Sequence, residues 1–277
     1  MNPPSQALLA TVIVIGTPDR LSPAADALES LGDTVGLRAI LISEGEHTAF
    51  PKRTAENTIV VTGLAPRFVN NAVASLRLSS LPAAVWWRGG STEALEDLAA
   101  LADRLVLDTD DPTGVWTRAG TLFERSAVTD LRWAKLTRWR ALLAHLFDVP
   151  QVRAAAGRVT RLAIEAPDLH AGRLFAGWLA SCLGWGPSVA ITVSRAAASG
   201  PAALNSALLE GPDVRLAMTV KPNGTCLEAA MEGAADLSRA VPIGDGALAT
   251  LIGEELGVRT RDFAFERALF RAQEIRA

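Results

Sequence analysis

Three carboxylates, Asp108, Asp110 and Asp111, stand together at the end of the short apolar run Leu105 to Leu107. An α/β protein places metals, nucleophiles and ligands at the carboxyl ends of its parallel strands, so this acidic cluster could serve hydrolysis. One carboxylate would attack or hold a metal, and the other would handle a proton. Further candidates are absent from the sequence. There is no G-x-G-x-x-G after the first strand, no phosphate loop ending in G-K-[ST] and no G-x-S-x-G. The turn Gly16-Thr17-Pro18 lacks the glycines that let a backbone approach a pyrophosphate. His47, His145 and His170 have no second ligand at metal-binding spacing. No cofactor and no metal are expected.

The series LVLDTDD is similar to the first motif of haloacid-dehalogenase-type phosphatases, an Asp nucleophile with an Asp acid two residues on. It then departs. Pro112 and Thr113 are out of register, the strand comes late in its domain, and the later Lys and paired acids are not evident. Asp111-Pro112 also serves as a helix start, which leaves Asp108 and Asp110 in a polar turn. A metal-dependent, phosphatase-like hydrolase using Asp108 and Asp110 is therefore the alternative function.

Elsewhere the unusual residues are tryptophan and arginine. The stretch Asp130 to Pro150 places Trp133, Leu136, Trp139, Leu143, Leu146 and Phe147 at helical spacing, one apolar stripe on a helix of about five turns. Arg132, Lys135, Arg138 and Arg140 fill much of the remaining surface. Such a stripe is either core beside a solvated face or a docking surface, since Trp and Arg are enriched at interface hot spots. Trp86-Trp87-Arg88-Gly89-Gly90 poses the same choice. Adjacent side chains of a strand point to opposite faces, so both indoles are core if helices cover both faces, or one lies at the rim. In that rim position Arg88 could also belong to a degenerate sugar-phosphate sensor.

These residues must be positioned by a layered fold. Strands are expected at Leu8 to Ile15, Leu37 to Ile42, Thr58 to Thr62, Pro82 to Trp87 and Leu105 to Leu107. Helices are expected between them: one from Ser22-Pro23 to Gly32, one from Pro66 to about Leu78, and one from Ser91 or Thr92 to about Asp103. Asp111-Pro112 opens another, carrying Trp116, Ala119 and Phe123 on one side, and Ser43 to Glu56 reads as a loop. Alternating strands and helices give a mostly parallel sheet in an α/β domain, residues 1–150.

Past the connector at Val149 to Gly157 the rhythm changes to a smaller α+β domain, residues 151–277. Arg158 to Ala166 is a strand, and Asp168 caps a helix ending near Gly184. Val189 to Val193, Leu204 to Leu209, Asp213 to Val220 and Thr225 to Met231 then form a mostly antiparallel meander, with a turn at Lys221-Pro222-Asn223-Gly224. Helices at Gly246 to Leu256 and Arg261 to Arg276 close the chain.

The 277 residues include 49% hydrophobic and 21% charged side chains, an ordinary globular balance. A net charge of −3 and a pI near 5.7 argue against nucleic acid as the main ligand. No apolar run approaches the roughly 18 residues of a membrane-spanning helix. The N-terminus lacks the basic region of a signal peptide, so no membrane association and a cytoplasmic location are expected. Cys182 and Cys226 are too few for a disulfide framework and are expected to be buried thiols.

Several of these stretches together resemble one family. They are Leu81-Pro82 leading into Trp86-Trp87 and Gly89, and Asp130 to Thr137 (DLRWAKLT) leading into Trp139-Arg140, Leu142-Leu143 and Leu146-Phe147-Asp148. Val159-Thr160, Ala171 to Leu174, Gly177 to Ser181 and Leu183-Gly184-Trp185 follow in the same order. The pattern, from about residue 35 to the C-terminus, resembles the glucose-6-phosphate dehydrogenase assembly proteins (the OpcA family). Members often carry proline where Arg88 and Arg138 stand here. The resemblance implies a non-enzymatic factor that binds glucose-6-phosphate dehydrogenase in the oxidative pentose phosphate pathway and promotes its assembly or active state. Trp133, Arg138, Trp139 and Arg140 are expected to form its contact surface, with Trp86, Trp87 and Arg88 as a second patch.

Overall fold

The computed structural model describes residues 9–32, 36–45, 57–222, 224–232, 238–258 and 260–276. Leu8, most of the expected loop at 46–56 with His47 and Pro51, and Asn223 of the expected turn lie outside the described residues. The chain forms two compact units. The first takes everything described up to Leu131 together with Ala247–Asp262, and the second takes Arg132–Gly246 and the C-terminal stretch from Phe263.

The first unit is built on β1 (Ala10–Gly16), α1 (Pro18–Gly32), β2 (Leu37–Glu44), β3 (Thr58–Leu64), α2 (Val69–Leu76), β4 (Ala83–Trp87), α3 (Leu95–Leu101), β5 (Arg104–Leu107), α4 (Thr113–Trp116), α5 (Ala119–Arg125) and β6 (Ala127–Asp130). Its sheet has the order β3-β2-β1-β4-β5-β6, and every pair is parallel. The near-continuous apolar runs of β1, β4 and β5 follow from burial on both faces of a parallel sheet. Helix α1 starts earlier than Ser22-Pro23. The Thr17 carbonyl accepts from the N–H groups of Arg20 and Leu21, so Thr17-Pro18 makes the helix start and Pro23 lies inside it.

Strand β6 takes the residues just before the expected long helix, and that helix divides at Leu136 into α6 (Leu131–Lys135) and α7 (Thr137–Phe147). The second unit continues with α8 (Pro150–Ala156), β7 (Arg161–Ala166), α9 (Leu169–Leu183), β8 (Ala190–Arg195), β9 (Ser206–Gly211), β10 (Val214–Val220), β11 (Cys226–Met231) and β12 (Arg239–Pro242). After α10 (Leu248–Gly257), which belongs to the first unit, α11 (Phe263–Glu274) completes the second.

The second sheet has the order β12-β11-β10-β9-β7-β8, with β7 and β8 parallel across the α9 crossover and the other pairs antiparallel. Helix α9 begins at Asp168, whose Oδ1 accepts from the His170 N–H at 2.9 Å, and ends at Gly184 in the left-handed conformation. A Cβ on Gly177 would stand 2.3 Å from the Ala268 carbonyl, so glycine is what lets α9 and α11 approach so closely.

The two units do not divide at residue 150. Helix α7 packs with β11 and β12 of the second sheet, and Trp139 meets Phe175 of α9 edge-on at 6.1 Å. Helix α10 packs against α1, and its Glu255 pairs with Arg104 of β5 inside the first unit. A sequence boundary drawn at a change of rhythm misses both, because each is decided by which sheet an apolar face covers. Among the described residues no helix is long and apolar enough to cross a membrane.

Candidate functional site

In a sheet of this order the crevice lies where the chain reverses direction, at the carboxyl ends of β1 and β4. Here that place holds Gly16, Arg20, Arg88 and Asp108. The Arg88 Nε donates to Asp108 Oδ2 at 2.7 Å, and its Nη1 donates to the Arg20 carbonyl. The Trp86 indole N–H donates to the same Asp108 oxygen at 3.2 Å. Arg20 closes the ring, with Nη2 to the Asp108 carbonyl at 2.7 Å and Nη1 to Asp110 Oδ1 at 2.6 Å. Asp111 Oδ1 accepts from the Thr113 N–H at 2.9 Å, as a helix start should.

This geometry corrects two readings. Asp108 is a structural acceptor for an indole and two arginines, not a poised nucleophile, and Asp110 extends the same network. Among the described residues no group of three or more His, Cys, Asp or Glu side chains could hold a metal. Arg88 is 8% exposed with its Nε and Nη1 donors committed, so it does not offer them to a sugar phosphate.

At the end of β2, Glu44 accepts from the Ser91 N–H at 2.8 Å. Gly90 sits against that carboxylate with φ 113°, and a Cβ there would fall 2.7 Å from Glu44 Oε2. Glu44 is half-buried, and burial pushes its pKa up against the opposing pull of the Ser91 N–H. Neither Arg20 nor Glu44 was singled out by sequence reasoning. The acid closing a β2 run is the one signal that could have marked Glu44.

In α6 and α7 the aromatic stripe is core. Trp133 is 2% exposed and Trp139 1%, with Leu136, Leu143 and Leu146 beside them, while Phe147 is half-buried. Trp133 packs on Phe265 at 5.7 Å. Arg132 is buried and donates from Nε to Asp168 Oδ2 at 2.5 Å, tying α6 to the start of α9. Arg140 lies over the Trp133 ring at 3.5 Å and is half-exposed. Lys135, Arg138, Ala141 and His145 are exposed.

The contact role expected of Trp86, Trp87, Arg88, Trp133 and Trp139 is corrected by this burial. All four indoles are at most 2% exposed, so they support a surface without forming one. Of the expected contact residues, Arg138 and Arg140 alone remain accessible. Cys182 is exposed and Cys226 half-exposed, not buried as expected, and both are free thiols.

The parallel order of the first sheet and the mixed second sheet define a two-unit α/β protein, and the crevice of its first unit is internally bonded. The fold is shared with levoglucosan dehydrogenase in complex with NADH and L-sorbose, at 11% identity and a TM-score of 0.50, covering 96% of this chain and 88% of that one. That likeness concerns fold alone. The chain belongs to the family described as the carboxy-terminal domain of a glucose-6-phosphate dehydrogenase subunit, whose pattern matches residues 126–269. It is 30% identical over 154 residues to a protein of Synechocystis sp. carrying the provisional name OxPP cycle protein OpcA, covering 49% of this chain and 32% of that protein. The same name is carried by a protein of Nostoc punctiforme, 29% identical over 139 residues, or 47% of this chain and 30% of that one. The matched stretch thus spans about a third of the length of these relatives.

Proposed function

We propose that the chain binds glucose-6-phosphate dehydrogenase in the oxidative pentose phosphate pathway and promotes its assembly or active state, catalysing no reaction itself. The observation that carries this reading is the family match over residues 126–269, joined to relatives named for the oxidative pentose phosphate cycle. The exposed side of α7 supports it as the contact surface. Arg138, Ala141 and His145 follow one another at helical spacing there, and all are exposed. Arg138 makes no ion pair among the described residues. With Lys135 and Arg140 it offers an acidic partner surface a cationic, small-residue face whose backing tryptophans fix its position. The protein would act where that enzyme acts, in the cytoplasm.

The test is the rate of the same organism's glucose-6-phosphate dehydrogenase against substrate, with and without this chain, beside size-exclusion chromatography of the mixture. A lower KM or higher kcat together with co-elution is expected. Unchanged kinetics and separate elution would sink the proposal.

A further inference from the structure

A parallel sheet ordered 3-2-1-4-5-6 ordinarily receives a dinucleotide with three devices. These are a glycine turn after β1, free N–H groups at the start of the next helix, and an acid at the end of β2. This sheet has that order, so the dinucleotide is the cofactor the fold implies, and its fit can be tested against the residues present.

Each device is turned inward. At the glycine turn, a Cβ on Gly16 would lie 3.2 Å from the Arg88 Cβ, so the Arg88 side chain already fills the space over the turn. The Arg88 N–H donates to the Ile15 carbonyl at 2.7 Å, which carries β1–β4 pairing past the end of β4 and narrows the crevice at its mouth. At the start of α1, Pro18 has no N–H to offer, and the following residue is an acid. The Arg20 and Leu21 N–H groups, donors that a phosphate would need, go to the Thr17 carbonyl at 3.0 Å each, and the Asp19 carboxyl is held below its ordinary range first by the Thr17 side chain. At the end of β2, the Glu44 carboxylate is spent on the Ser91 N–H rather than left for a ribose hydroxyl.

The charge balance points the same way. Among the described residues, Arg20 and Arg88 are the cations at these strand ends, and they face Asp110 and Asp108 at 2.6 and 2.7 Å. A pyrophosphate entering here would have to displace carboxylates from both guanidiniums.

We infer that the first unit has closed its dinucleotide crevice with its own side chains. The Arg20–Arg88–Asp108–Asp110 cluster stands where a pyrophosphate would, so the unit takes no nicotinamide dinucleotide. The cluster is an internal ligand that joins β1, β4, β5 and the start of α1. Where the chain acts on a dehydrogenase as proposed above, any response of the pair to NADP(H) then resides in the partner enzyme.

The experiment uses the isolated full chain, so its outcome does not depend on binding to any dehydrogenase. Thermal melts are recorded with NADPH, NADH and NADP⁺ up to about 1 mM, and nucleotide fluorescence with the two reduced forms. A site with a Kd of ~0.1 mM would raise the Tm by several degrees at that concentration. No shift and no saturable fluorescence change are expected. A saturable shift with any of the three would overturn the inference.

The second arm replaces the internal ligand with Arg88→Met, which keeps bulk over Gly16 and removes the guanidinium. A Tm lowered by several degrees is expected. A Tm equal to the parent's would show that the cluster closes nothing and would overturn the inference as well. If Arg88→Met fails to fold, the milder Asp110→Asn, at the exposed end of the cluster, takes its place with a smaller fall in Tm expected and the same overturning result.

Discussion

The end of β4 and the α6–α7 pair carry similar residues, two indoles with several guanidiniums close by, and the fold treats their cations oppositely. At β4, Arg88 turns inward because Asp108 waits at the end of the neighbouring strand, 2.7 Å from its Nε. On α6–α7 the cations divide. Arg132 turns inward to Asp168, Arg140 lies flat on Trp133, and Arg138 stays in solvent. The tryptophans behave alike in both places, all within the core. An indole buries itself for its apolar area whatever surrounds it, whereas a guanidinium goes where a carboxylate is. Only the second region therefore retains a cationic surface able to meet another molecule.

The largest effect expected concerns what the regions share. Trp86→Ala and Trp139→Ala should each cost about 3–5 kcal/mol of stability, because each empties a filled core site. Urea unfolding followed by circular dichroism measures both. A loss below ~1 kcal/mol at Trp139 would mean that the indole is not the packing element described here.

The next prediction separates the regions. Arg88→Met should lose about 1.5–3 kcal/mol, the range for hydrogen bonds to a charged group. Arg138→Met should change stability by less than ~0.5 kcal/mol, as for an unpaired surface residue. If the two variants melted alike, the distinction between inward and outward cation would fail. Arg138→Glu should slow association with glucose-6-phosphate dehydrogenase, an effect that weakens at high salt if the contact is electrostatic.

The smallest effect belongs to Glu44, which ties the β2 end to the loop after β4. Its pKa is raised from 4.5 by burial, so the folded state binds this proton more tightly than the unfolded chain does. Its contribution to stability is fully present below the unfolded value and is lost as pH rises through the folded one. Glu44→Gln cannot titrate, so its Tm relative to the parent should be higher at about pH 7 than at about pH 4. A difference independent of pH would remove Glu44 from the titrating groups that matter.

Much of the fold was legible in the order of residues, because secondary structure is written in neighbours. Apolar runs marked β1, β4 and β5, and Asp111 and Asp168 act at the helix starts where the sequence placed them. The turn at Lys221 is closed by the Gly224 N–H to the Lys221 carbonyl at 2.8 Å. What escaped was too short to carry a period. Strand β6 is the four residues AVTD and β12 the four residues RAVP, and in both the pairing strand supplies the reason to be extended. The break of the long helix at Leu136 likewise has no local signature.

The candidate site was less legible. Composition and spacing gave the Trp–Arg clusters and the missing cofactor motifs, but not which cations are free. Arg20 finds the Asp108 carbonyl 88 positions away, Arg88 the Arg20 carbonyl 68 away, and Arg104 the Glu255 carboxylate 151 away. Helical and strand periods decide which side of an element is apolar, since that depends on residues within a few positions. Whether a guanidinium on that element is locked inside or left for a partner depends on a carboxylate brought near by the packing of distant strands and helices, and only the tertiary structure makes that choice.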